Sequence, residues 1–423
     1  MGDFGIMSEE RGRVAVIGAG IVGLSCAAHL VRDGWRVSVF DPDTPGDAAF
    51  TSFGNAGAIS AQSIVPMSGP GILRQVPTWL LDPLGPLAIR WPYLPRLLPW
   101  LIRFVKAGTA ERVRGQVKAL HALHAPVVEA HRELADWADA MDLIQQNGSL
   151  SVYETEKAFE GDRRARDLQR EHGIAVEELG PEELRQLELA LAPVFVRATW
   201  YPNGAHCINP GELARRLATA LAGAGVTFVR EAVTGFEMGE GGPNAVRTEG
   251  RRHDVDRVVV AAGAWSGRIA AWVGDRVSLE SERGYHMILP HPGFETRRPI
   301  SFVERRFMCT AMQSGLRLAG TVEFAGLDAE PNWGRADRLV EHARGVFRKI
   351  DSGDGSRWMG QRPATPDSLP VIGRSPRHPY LFYAFGHGHL GLTAGPVTGR
   401  HIAALVAGRK PDIDLAPFAI DRF

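Results

Sequence analysis

The sequence carries three glycines whose spacing suits a bound phosphate. Gly18, Gly20 and Gly23 form a Gly-x-Gly-x-x-Gly pattern near the N-terminus. The first glycine permits a tight turn, the second lets a pyrophosphate approach the backbone, and the third lets the following helix pack closely on a strand. Ile21 and Val22 lie between these glycines, just before the helix, whose N-terminal N–H groups and dipole favour an anion. The pattern therefore predicts a pyrophosphate site at this turn.

The elements around these glycines are those needed to position them. Arg13–Ile17 is a short apolar run typical of a strand, Leu24–Val31 predicts a helix with small side chains, and Trp35–Phe40 predicts a second strand. Asp41 ends that strand, where a carboxylate can accept hydrogen bonds from both ribose hydroxyls. The order strand, glycines, helix, strand and acid predicts an adenosine dinucleotide and leaves NAD and FAD open.

The segment after Asp41 does not continue as a nicotinamide enzyme would. Thr51–Ser60 is rich in Gly, Ser and Ala and does not predict a sheet strand. Its backbone N–H groups can lie against a planar ring, and Ser52 and Asn55 can hydrogen-bond a polar ring edge. An ordinary surface loop is the alternative.

Later segments predict further strands of the same nucleotide-binding sheet. Val226–Val229 and the start of Arg257–Ser266 predict strands, with an irregular hairpin around Gly239–Asn244 between them. Three consecutive valines suit a strand buried on both faces. Gly263 then allows close approach to the bound dinucleotide.

The C-terminal part again places a glycine-rich loop before a helix. Gly360–Gly373 is followed by a predicted strand at Tyr380–Phe385, and Gly386–Thr393 precedes a predicted helix at Ala394–Ala407. A helix N-terminus near the pyrimidine edge of a flavin would place about half a positive charge where reduced flavin is negative. This arrangement favours FAD over a nicotinamide cofactor.

Together these segments resemble the D-amino-acid oxidase superfamily of FAD enzymes, and within it the bacterial D-amino acid dehydrogenases. The resemblance runs from Arg13 to Phe418 and depends chiefly on TSFGNAG at Thr51–Gly57 paired with GHGHLGLT at Gly386–Thr393. It implies an α/β fold with a Rossmann-like FAD-binding domain of the glutathione-reductase type. It also implies an α+β substrate domain with a mixed, largely antiparallel sheet.

The resemblance further implies that FAD is bound noncovalently. Sarcosine-oxidase-like relatives attach FAD through a cysteine shortly before the C-terminal glycine loop, whereas this chain has no cysteine in Trp358–Arg362. The FAD-binding domain is expected at residues 11–65, 205–278 and 355–423, and the substrate domain at 66–204 and 279–354. The residues predicted to bind FAD are Gly18, Gly20, Ile21, Val22, Gly23, Asp41, Ser52, Asn55, Ala56, Gly57, Val233, Ala262, Gly263, Trp265, Gly388, Leu390, Gly391, Leu392 and Thr393.

The substrate that the resemblance implies is a small amino or imino acid, whose carboxylate must leave water. An arginine fork compensates that loss with two parallel charged hydrogen bonds, so Arg283, Arg306, Arg317 and Arg362 are candidates. Arg362 is favoured because it lies in the block that resembles the flavin-adjacent loop. Tyr285 is the expected hydroxyl donor from the facing strand.

His387 and His389 are the remaining candidates for a catalytic role. An imidazole titrates close to neutral pH, so either ring can accept the proton of the substrate amine or orient the substrate. A dedicated base is not required if the protein binds the amine in its neutral form about 3.5 Å from the flavin. Structural packing of each histidine is the alternative.

The predicted reaction is FAD-dependent oxidative deamination of a D-amino acid, with a hydride passing from the alpha carbon to flavin N5. The product is an imine that water hydrolyses to a 2-oxo acid. One alternative is oxidation of a cyclic or N-methylated amino acid, such as D-proline, hydroxy-D-proline, sarcosine or glycine. An alternative of another class is a flavin-holding subunit of a larger oxidoreductase complex. The electron acceptor (a quinone, another carrier or oxygen) and the oligomeric state are left open.

Composition excludes several other classes of protein. The 423 residues include 48 Lys and Arg and 48 Asp and Glu, a balance that argues against nucleic acid binding. Cys26, Cys207 and Cys309 are far apart and lack metal-ligand spacing, so neither a metal site nor a disulfide framework is predicted. Residues 1–12 contain no recognisable export signal, so a cytoplasmic protein is expected.

The longest apolar stretch, Trp79–Val105, contains several prolines and charges and predicts no membrane-spanning helix. A proline-kinked element covering the core is favoured, and a peripheral contact at the inner membrane is left open. Glu111–Gln146 predicts a helix interrupted at Pro126, and Arg335–Lys349 predicts a basic helix at the surface. Strands of the substrate domain are expected at 281–289 and 316–324.

Overall fold

The computed structural model describes residues 11–69 and 87–423. The first part of the apolar stretch at Trp79–Val105 lies outside these residues. In chain order the strands are β1 (Arg11–Ile17), β2 (Trp35–Phe40), β3 (Ala58–Ile59), β4 (Leu87–Ile89), β5 (Ile144–Gln145), β6 (Ser149–Tyr153), β7 (Glu177–Leu179), β8 (Arg197–Tyr201), β9 (Ala205–Cys207), β10 (Thr227–Val229), β11 (Val233–Gly239), β12 (Gly242–Thr248), β13 (Arg251–Asp254), β14 (Arg257–Val260), β15 (Glu280–Leu289), β16 (Ile300–Phe302), β17 (Phe307–Met312), β18 (Gly315–Phe324), β19 (Ser356–Ala364), β20 (Val371–Arg374) and β21 (Leu381–Phe385). The helices are α1 (Ile21–Arg32), α2 (Leu94–Ala107), α3 (Ala110–His124), α4 (Val127–Trp137), α5 (Glu156–Gly161), α6 (Arg163–Glu171), α7 (Pro181–Leu187), α8 (Pro210–Gly223), α9 (Ser266–Trp272), α10 (Gly334–Arg344) and α11 (Gly391–Val406).

Six strands form an α/β sheet in the order β10-β2-β1-β14-β21-β20. Every neighbouring pair is parallel except β20 with β21. Val259 faces a core shared with the helices, whereas Val258 and Val260 face a core shared with the small antiparallel sheet β11-β12-β13. All three valines are fully buried, as expected for a strand covered on both faces. The sheet is Rossmann-like and is assembled from segments far apart in the sequence.

Helices α1 and α11 cover one face of this sheet and contact each other along their length. A β-carbon added at Gly399 on α11 would lie 2.5 Å from the carbonyl oxygen of Ser25 on α1. Glycine therefore lets the two helix axes approach closely. Helices α3 and α4 pack against the outside of α11 and contribute Val117, Leu120 and other side chains to the same core.

A second, larger sheet has the strand order β19-β15-β18-β17-β16-β6-β8-β7, with β4 added beside β18. It is mixed and largely antiparallel, since only the β16–β6 and β4–β18 pairs run parallel within the described residues. The strands expected at 281–289 and 316–324 are its two longest members, β15 and β18. The observed pair of sheets confirms the predicted fold class.

The helix expected at Arg335–Lys349 differs from its prediction. It ends at Arg344, and it packs Ala336, Leu339 and Ala343 against the second sheet. Arg335 is fully buried and donates a hydrogen bond to the Val322 carbonyl at 3.0 Å. The many basic residues suggested a helix at the solvated surface. The helix is instead amphipathic, and one of its faces is buried.

The helix expected at Glu111–Gln146 is two helices, α3 and α4, with Pro126 between them. Pro126 lacks an N–H group, so the break falls where it was predicted. The second helix ends at Trp137 instead of continuing, and β5 follows.

The predicted domain ranges differ from the observed sheets in two places. Strand β19, at 356–364, lies inside the range 355–423 predicted for the FAD-binding domain, yet it pairs with β15 in the second sheet. Helices α3 and α4 lie inside the range 66–204 predicted for the substrate domain, yet they pack on α11. In the part of the chain that the structure describes, no helix has the length and apolar character needed to cross a membrane.

Candidate active site

One large cavity lies between the two main sheets. Its volume is about 1420 Å³, and residues at the ends of β1, β2 and β14 line one side while β15, β18 and β19 line the other. Typical ligand pockets measure roughly 300–1,000 Å³, so this cavity can hold a large cofactor together with a small second ligand. Among residues 11–69 and 87–423 no cluster of His, Cys, Asp or Glu could hold a metal ion.

The glycine turn at the start of α1 forms one end of the cavity. Gly18 has a φ of 108°, and a β-carbon there would lie 2.4 Å from the Ala261 carbonyl oxygen. A β-carbon on Gly23 would lie 1.9 Å from the carbonyl oxygen of Gly18. Gly20 has open space instead, with Ser52 Oγ as its nearest neighbour at 3.7 Å. Two glycines therefore close the turn, and the third opens its backbone to a ligand.

Asp41 lies beside this turn at the end of β2. One carboxylate oxygen accepts a hydrogen bond from the Ala19 N–H at 2.8 Å, and the other accepts one from the Asp43 N–H at 3.1 Å. Burial raises the pKa of Asp41, and these two hydrogen bonds oppose that rise. Each oxygen keeps acceptor capacity for a ribose hydroxyl.

The TSFGNAG segment joins the glycine turn to the C-terminal turn. Ser52 Oγ accepts a hydrogen bond from the Ile21 N–H at 3.3 Å, at the N-terminus of α1. Asn55 donates to the His389 carbonyl at 3.1 Å and accepts from the Gly57 N–H at 2.9 Å. The amide of Asn55 thus holds the TSFGNAG segment against the C-terminal turn, and its contact with a polar ring edge stays a prediction.

The C-terminal turn lines the cavity beside the start of α1, since a β-carbon on Gly391 would lie 4.0 Å from Val22. Gly386 and Gly388 have φ values of 85° and 56°, and a single 3₁₀ turn over Gly388–Leu390 leads into α11 at Gly391. The N-terminus of α11 therefore meets the cavity. Thr393 lies two residues further on and donates to the Ala58 carbonyl at 3.0 Å, behind the cavity wall.

Arg362 projects into the cavity from β19 of the second sheet. Its Nη1 donates to Glu282 Oε1 at 3.0 Å and to the Thr321 carbonyl at 3.3 Å. A β-carbon added at Gly284 would lie 2.2 Å from the guanidinium carbon, so glycine makes room for the guanidinium. Nε and Nη2 of Arg362 have no hydrogen-bond partner among the described residues. That edge of the guanidinium is available for a carboxylate.

Tyr285 differs from its prediction as a donor to the substrate. Its hydroxyl donates to Glu323 at 2.5 Å and accepts from the Asn332 N–H at 3.0 Å. Burial and the Glu323 carboxylate raise the pKa of Tyr285 to about 12. The ring lines the cavity, but its hydroxyl proton is already used within the protein.

The other candidate arginines lie in different places. Arg283 is fully buried with Glu323 at 3.1 Å, and Arg317 donates to backbone carbonyls of the TSFGNAG segment. Neither lines the cavity, whereas Arg306 does, at a part of the wall shared with Asp162. Burial lowers the pKa of Arg306, and the nearby carboxylate of Asp162 opposes that decrease.

The two histidines of the C-terminal turn have different surroundings. His387 is buried, its Nε2 is 2.9 Å from Thr398 Oγ1, and burial lowers its pKa to about 3. The ring of His389 is exposed, but the space that it faces is the cavity, so desolvation still lowers its pKa. Glu282 partly offsets this decrease and Arg362 adds to it.

Most of the predicted site residues therefore converge on one cavity. Gly23, Gly57 and Thr393 do not line it and instead support the backbone behind it. Those that line it are Gly18, Gly20, Ile21, Val22, Asp41, Ser52, Asn55, Ala56, Val233, Ala262, Gly263, Trp265, Tyr285, Arg362, His387, Gly388, His389, Leu390, Gly391 and Leu392.

Sequence reasoning missed two residues that line the same cavity, Glu282 and Gly284, which lie beside Arg362. Trp91 and other apolar side chains of the α2 region also line it. The β15–β19 register brings the first two there by pairing Glu282 with Arg362 and Gly284 with Gly360. Nothing in one sequence signals that register, although Gly284 within a strand of large residues was a hint of close contact.

The comparisons with known proteins agree with this geometry. The fold and the site define a dinucleotide-binding oxidoreductase, and a family model described as DAO, FAD dependent oxidoreductase, matches residues 13–405. The chain belongs to this family of FAD-dependent oxidoreductases.

Relatives and solved structures match almost the whole chain. It is 41% identical over 422 residues to a D-amino-acid oxidase of Bradyrhizobium diazoefficiens, covering 99% of this chain and all of that protein. It is 32% identical to a D-amino acid dehydrogenase of Paramagnetospirillum magneticum, covering 97% of this chain and 99% of that protein. The glycine oxidase structure from Geobacillus kaustophilus matches with a TM-score of 0.74 at 24% identity, covering 98% of this chain and all of that one.

The residues present fit FAD. The open backbone at Gly20 and the α1 N-terminus can receive the pyrophosphate, and Asp41 can hold the ribose. The α11 N-terminus adds a second positive dipole to the cavity wall. Cys26, Cys207 and Cys309 are buried and none of them lines the cavity, so no thiol is available there for covalent attachment.

Proposed function

We propose that the protein oxidises D-amino acids at the carbon that bears the amine, with noncovalently bound FAD. When bound, FAD supplies the acceptor for the hydride that leaves this carbon. The observation that carries the proposal is the free edge of Arg362 inside a cavity that also contains the dinucleotide-binding turns. Full-length identity of 41% to a D-amino-acid oxidase supports the same assignment.

Arg362 binds the substrate carboxylate in this proposal. The free Nε and Nη2 edge offers two parallel charged hydrogen bonds, which compensate the carboxylate for leaving water. Gly284 lets the guanidinium lie flat against the sheet, and Glu282 and the Thr321 carbonyl hold its Nη1. A fixed carboxylate fixes the position of the carbon next to it.

His389 accepts the proton that the substrate ammonium must release before oxidation. Its ring faces the cavity, and desolvation lowers its pKa, so the imidazole starts neutral. The Glu282 carboxylate opposes this decrease and favours the protonated ring once it has taken the proton. His387 is buried against Thr398, and its role in this proposal is to hold the turn that carries His389.

The proposal is tested by anaerobic mixing of the purified FAD-loaded protein with single substrates. We expect D-amino acids to bleach the flavin absorption near 450 nm, and the corresponding L-amino acids to leave it unchanged. D-proline, sarcosine and glycine belong in the same panel. If only those three compounds bleach the flavin, the substrate is a secondary amine or glycine. No bleaching by any amine would overturn the proposal and favour a flavin-holding subunit.

We propose in addition that helix α2 makes a peripheral contact with a membrane surface. Leu98, Ile102 and Val105 follow one another at helical spacing on α2, and all three are exposed. The exposed basic residues Arg96 and Arg103 flank them. Apolar side chains bordered by cations suit the interface of an anionic bilayer.

A further inference from the structure

A carboxylate next to Arg362, bonded to its Nη1 and not to its free Nε and Nη2 edge, has no assigned role in binding the substrate. Glu282 stands directly opposite Arg362 in the antiparallel β15–β19 pair, so both side chains project from the same face of the sheet. Both line the cavity. Glu282 is 6% exposed, which makes it a nearly buried anion at the place where the substrate is expected.

The hydrogen bonds of Glu282 leave part of its carboxylate unused. Among the described residues, Oε1 accepts from Arg362 Nη1 at 3.0 Å, and Oε2 has no partner. A carboxylate has about four acceptor positions, so one bond to arginine does not satisfy it. Burying such a group is costly unless a further donor completes its shell.

We propose that Glu282 binds the amino group of the substrate while Arg362 binds its carboxylate. This inference rests on the proposed function. The two charged groups of an amino acid share one carbon, and the two charged side chains are adjacent on neighbouring strands. The zwitterion then meets the opposite charge at each end, which reduces the cost of placing both charges in a low-dielectric cavity.

The pairing also accounts for selection between mirror-image substrates. Two of the four groups on the carbon are held by Arg362 and Glu282, and a third, the hydrogen, must point toward the flavin. The fourth direction is then fixed for the side chain. The opposite enantiomer can make both charged contacts only if its hydrogen points away from the flavin. It therefore does not react. Glu282 is therefore an amine-binding residue that contributes to stereospecificity.

The substitution Glu282→Gln tests this role. Glutamine keeps the shape and an oxygen that can accept from Arg362, but it removes the negative charge that holds the ammonium. We expect kcat/KM for D-alanine and D-phenylalanine to fall by at least about tenfold, the size of one charged hydrogen bond. We expect propionate and 3-phenylpropionate, which are these substrates without the amine, to bind the flavoprotein with unchanged affinity. Their binding is read from the shift in the flavin spectrum.

The matched control is Glu280→Gln, two residues earlier on β15. Glu280 bonds the Tyr93 hydroxyl at 2.8 Å and does not line the cavity, so its kinetics should equal those of the unmodified enzyme. If Glu282→Gln weakens the amine-free acids as much as the amino acids, Glu282 only orients Arg362 and the inference is wrong. Unchanged kcat/KM would also overturn it. Failure of the unmodified enzyme to oxidise any D-amino acid would instead refute the proposed function.

Discussion

At the scale of single residues, the site separates groups that shape the backbone from groups that meet a ligand. Gly23 is required by contacts of its own backbone, Gly20 faces the cavity, and Gly18 does both. Asp41 also does both, because its carboxylate accepts two backbone N–H groups and still borders the dinucleotide site. A substitution there removes a ligand contact and loosens the turn at the same time.

Replacing Asp41 with alanine should weaken FAD retention. The change removes the acceptor for the ribose hydroxyls and frees the Ala19 N–H, and one lost charged hydrogen bond costs about 1.5–3 kcal/mol. We expect the FAD dissociation constant, measured by flavin fluorescence after dilution, to rise by at least about tenfold. Asp47→Ala, in the same exposed segment but off the cavity wall, is the control. Equal FAD retention in both variants would contradict the ribose role.

At the scale of elements, the sequence predicted those whose pattern is local. The β1–α1–β2 unit follows from the valine-rich runs and the glycines, and the break before α4 follows from Pro126. Ser52 and the Gly388–Leu390 turn were predicted as site residues because small residues cluster there, and both line the cavity. These signals lie within short stretches of sequence and do not depend on contacts with distant residues.

Contacts between distant strands were not predictable in the same way. Arg362 was expected in a loop but lies in β19, and its partner Glu282 is fixed only by the β15–β19 register. Tyr285 was expected to donate to the substrate, but β18 brings Glu323 against its hydroxyl. Which side chains meet across a sheet depends on strand order and register, and periodicity along one segment does not encode either.

The exposed face of α2 leads to a prediction about that element as a whole. The double substitution Leu98→Glu and Ile102→Glu places two charges on its apolar side, and we expect the protein to lose most of its binding to anionic phospholipid vesicles in a sedimentation assay. Each leucine-sized side chain contributes about 1.5–3 kcal/mol on leaving water, so two of them account for a large share of the affinity.

Leu189→Glu is the control for that experiment, because Leu189 is the most exposed large apolar residue described and lies elsewhere on the surface. Its binding to vesicles should match that of the unmodified protein. The contact is refuted if the unmodified protein stays in the supernatant with anionic vesicles.

At the scale of the whole molecule, buried histidines hold the cavity's separate segments together. His286 Nδ1 lies 3.1 Å from the Gly54 carbonyl and joins the second sheet to the TSFGNAG segment. His131 Nε2 lies 2.7 Å from the Leu392 carbonyl, and His124 Nδ1 lies 2.8 Å from the Ser63 carbonyl. Facing a carbonyl, each of these nitrogens carries the proton of a neutral ring.

Burial lowers the pKa of His286 to about 3 and the pKa values of His124 and His131 to about 4. Between pH 6.5 and these lowered pKa values, the three histidines are protonated in the unfolded chain and neutral in the folded protein. The free energy of unfolding therefore decreases as the pH falls through this window, by up to about 1.4 kcal/mol per pH unit for each histidine. We expect the urea midpoint of the FAD-loaded protein to fall steadily from pH 7 to pH 5.

The substitution His286→Asn removes one of these titrating groups. Up to about one proton fewer should then be taken up on unfolding, so the free energy of unfolding should depend less steeply on pH. His291→Asn, at an exposed position outside these carbonyl contacts, is the control. A urea midpoint that is constant or rises between pH 7 and pH 5 would mean that the rings are protonated in the folded protein. The contacts of these rings with the Gly54, Leu392 and Ser63 carbonyls would then involve charged imidazoles.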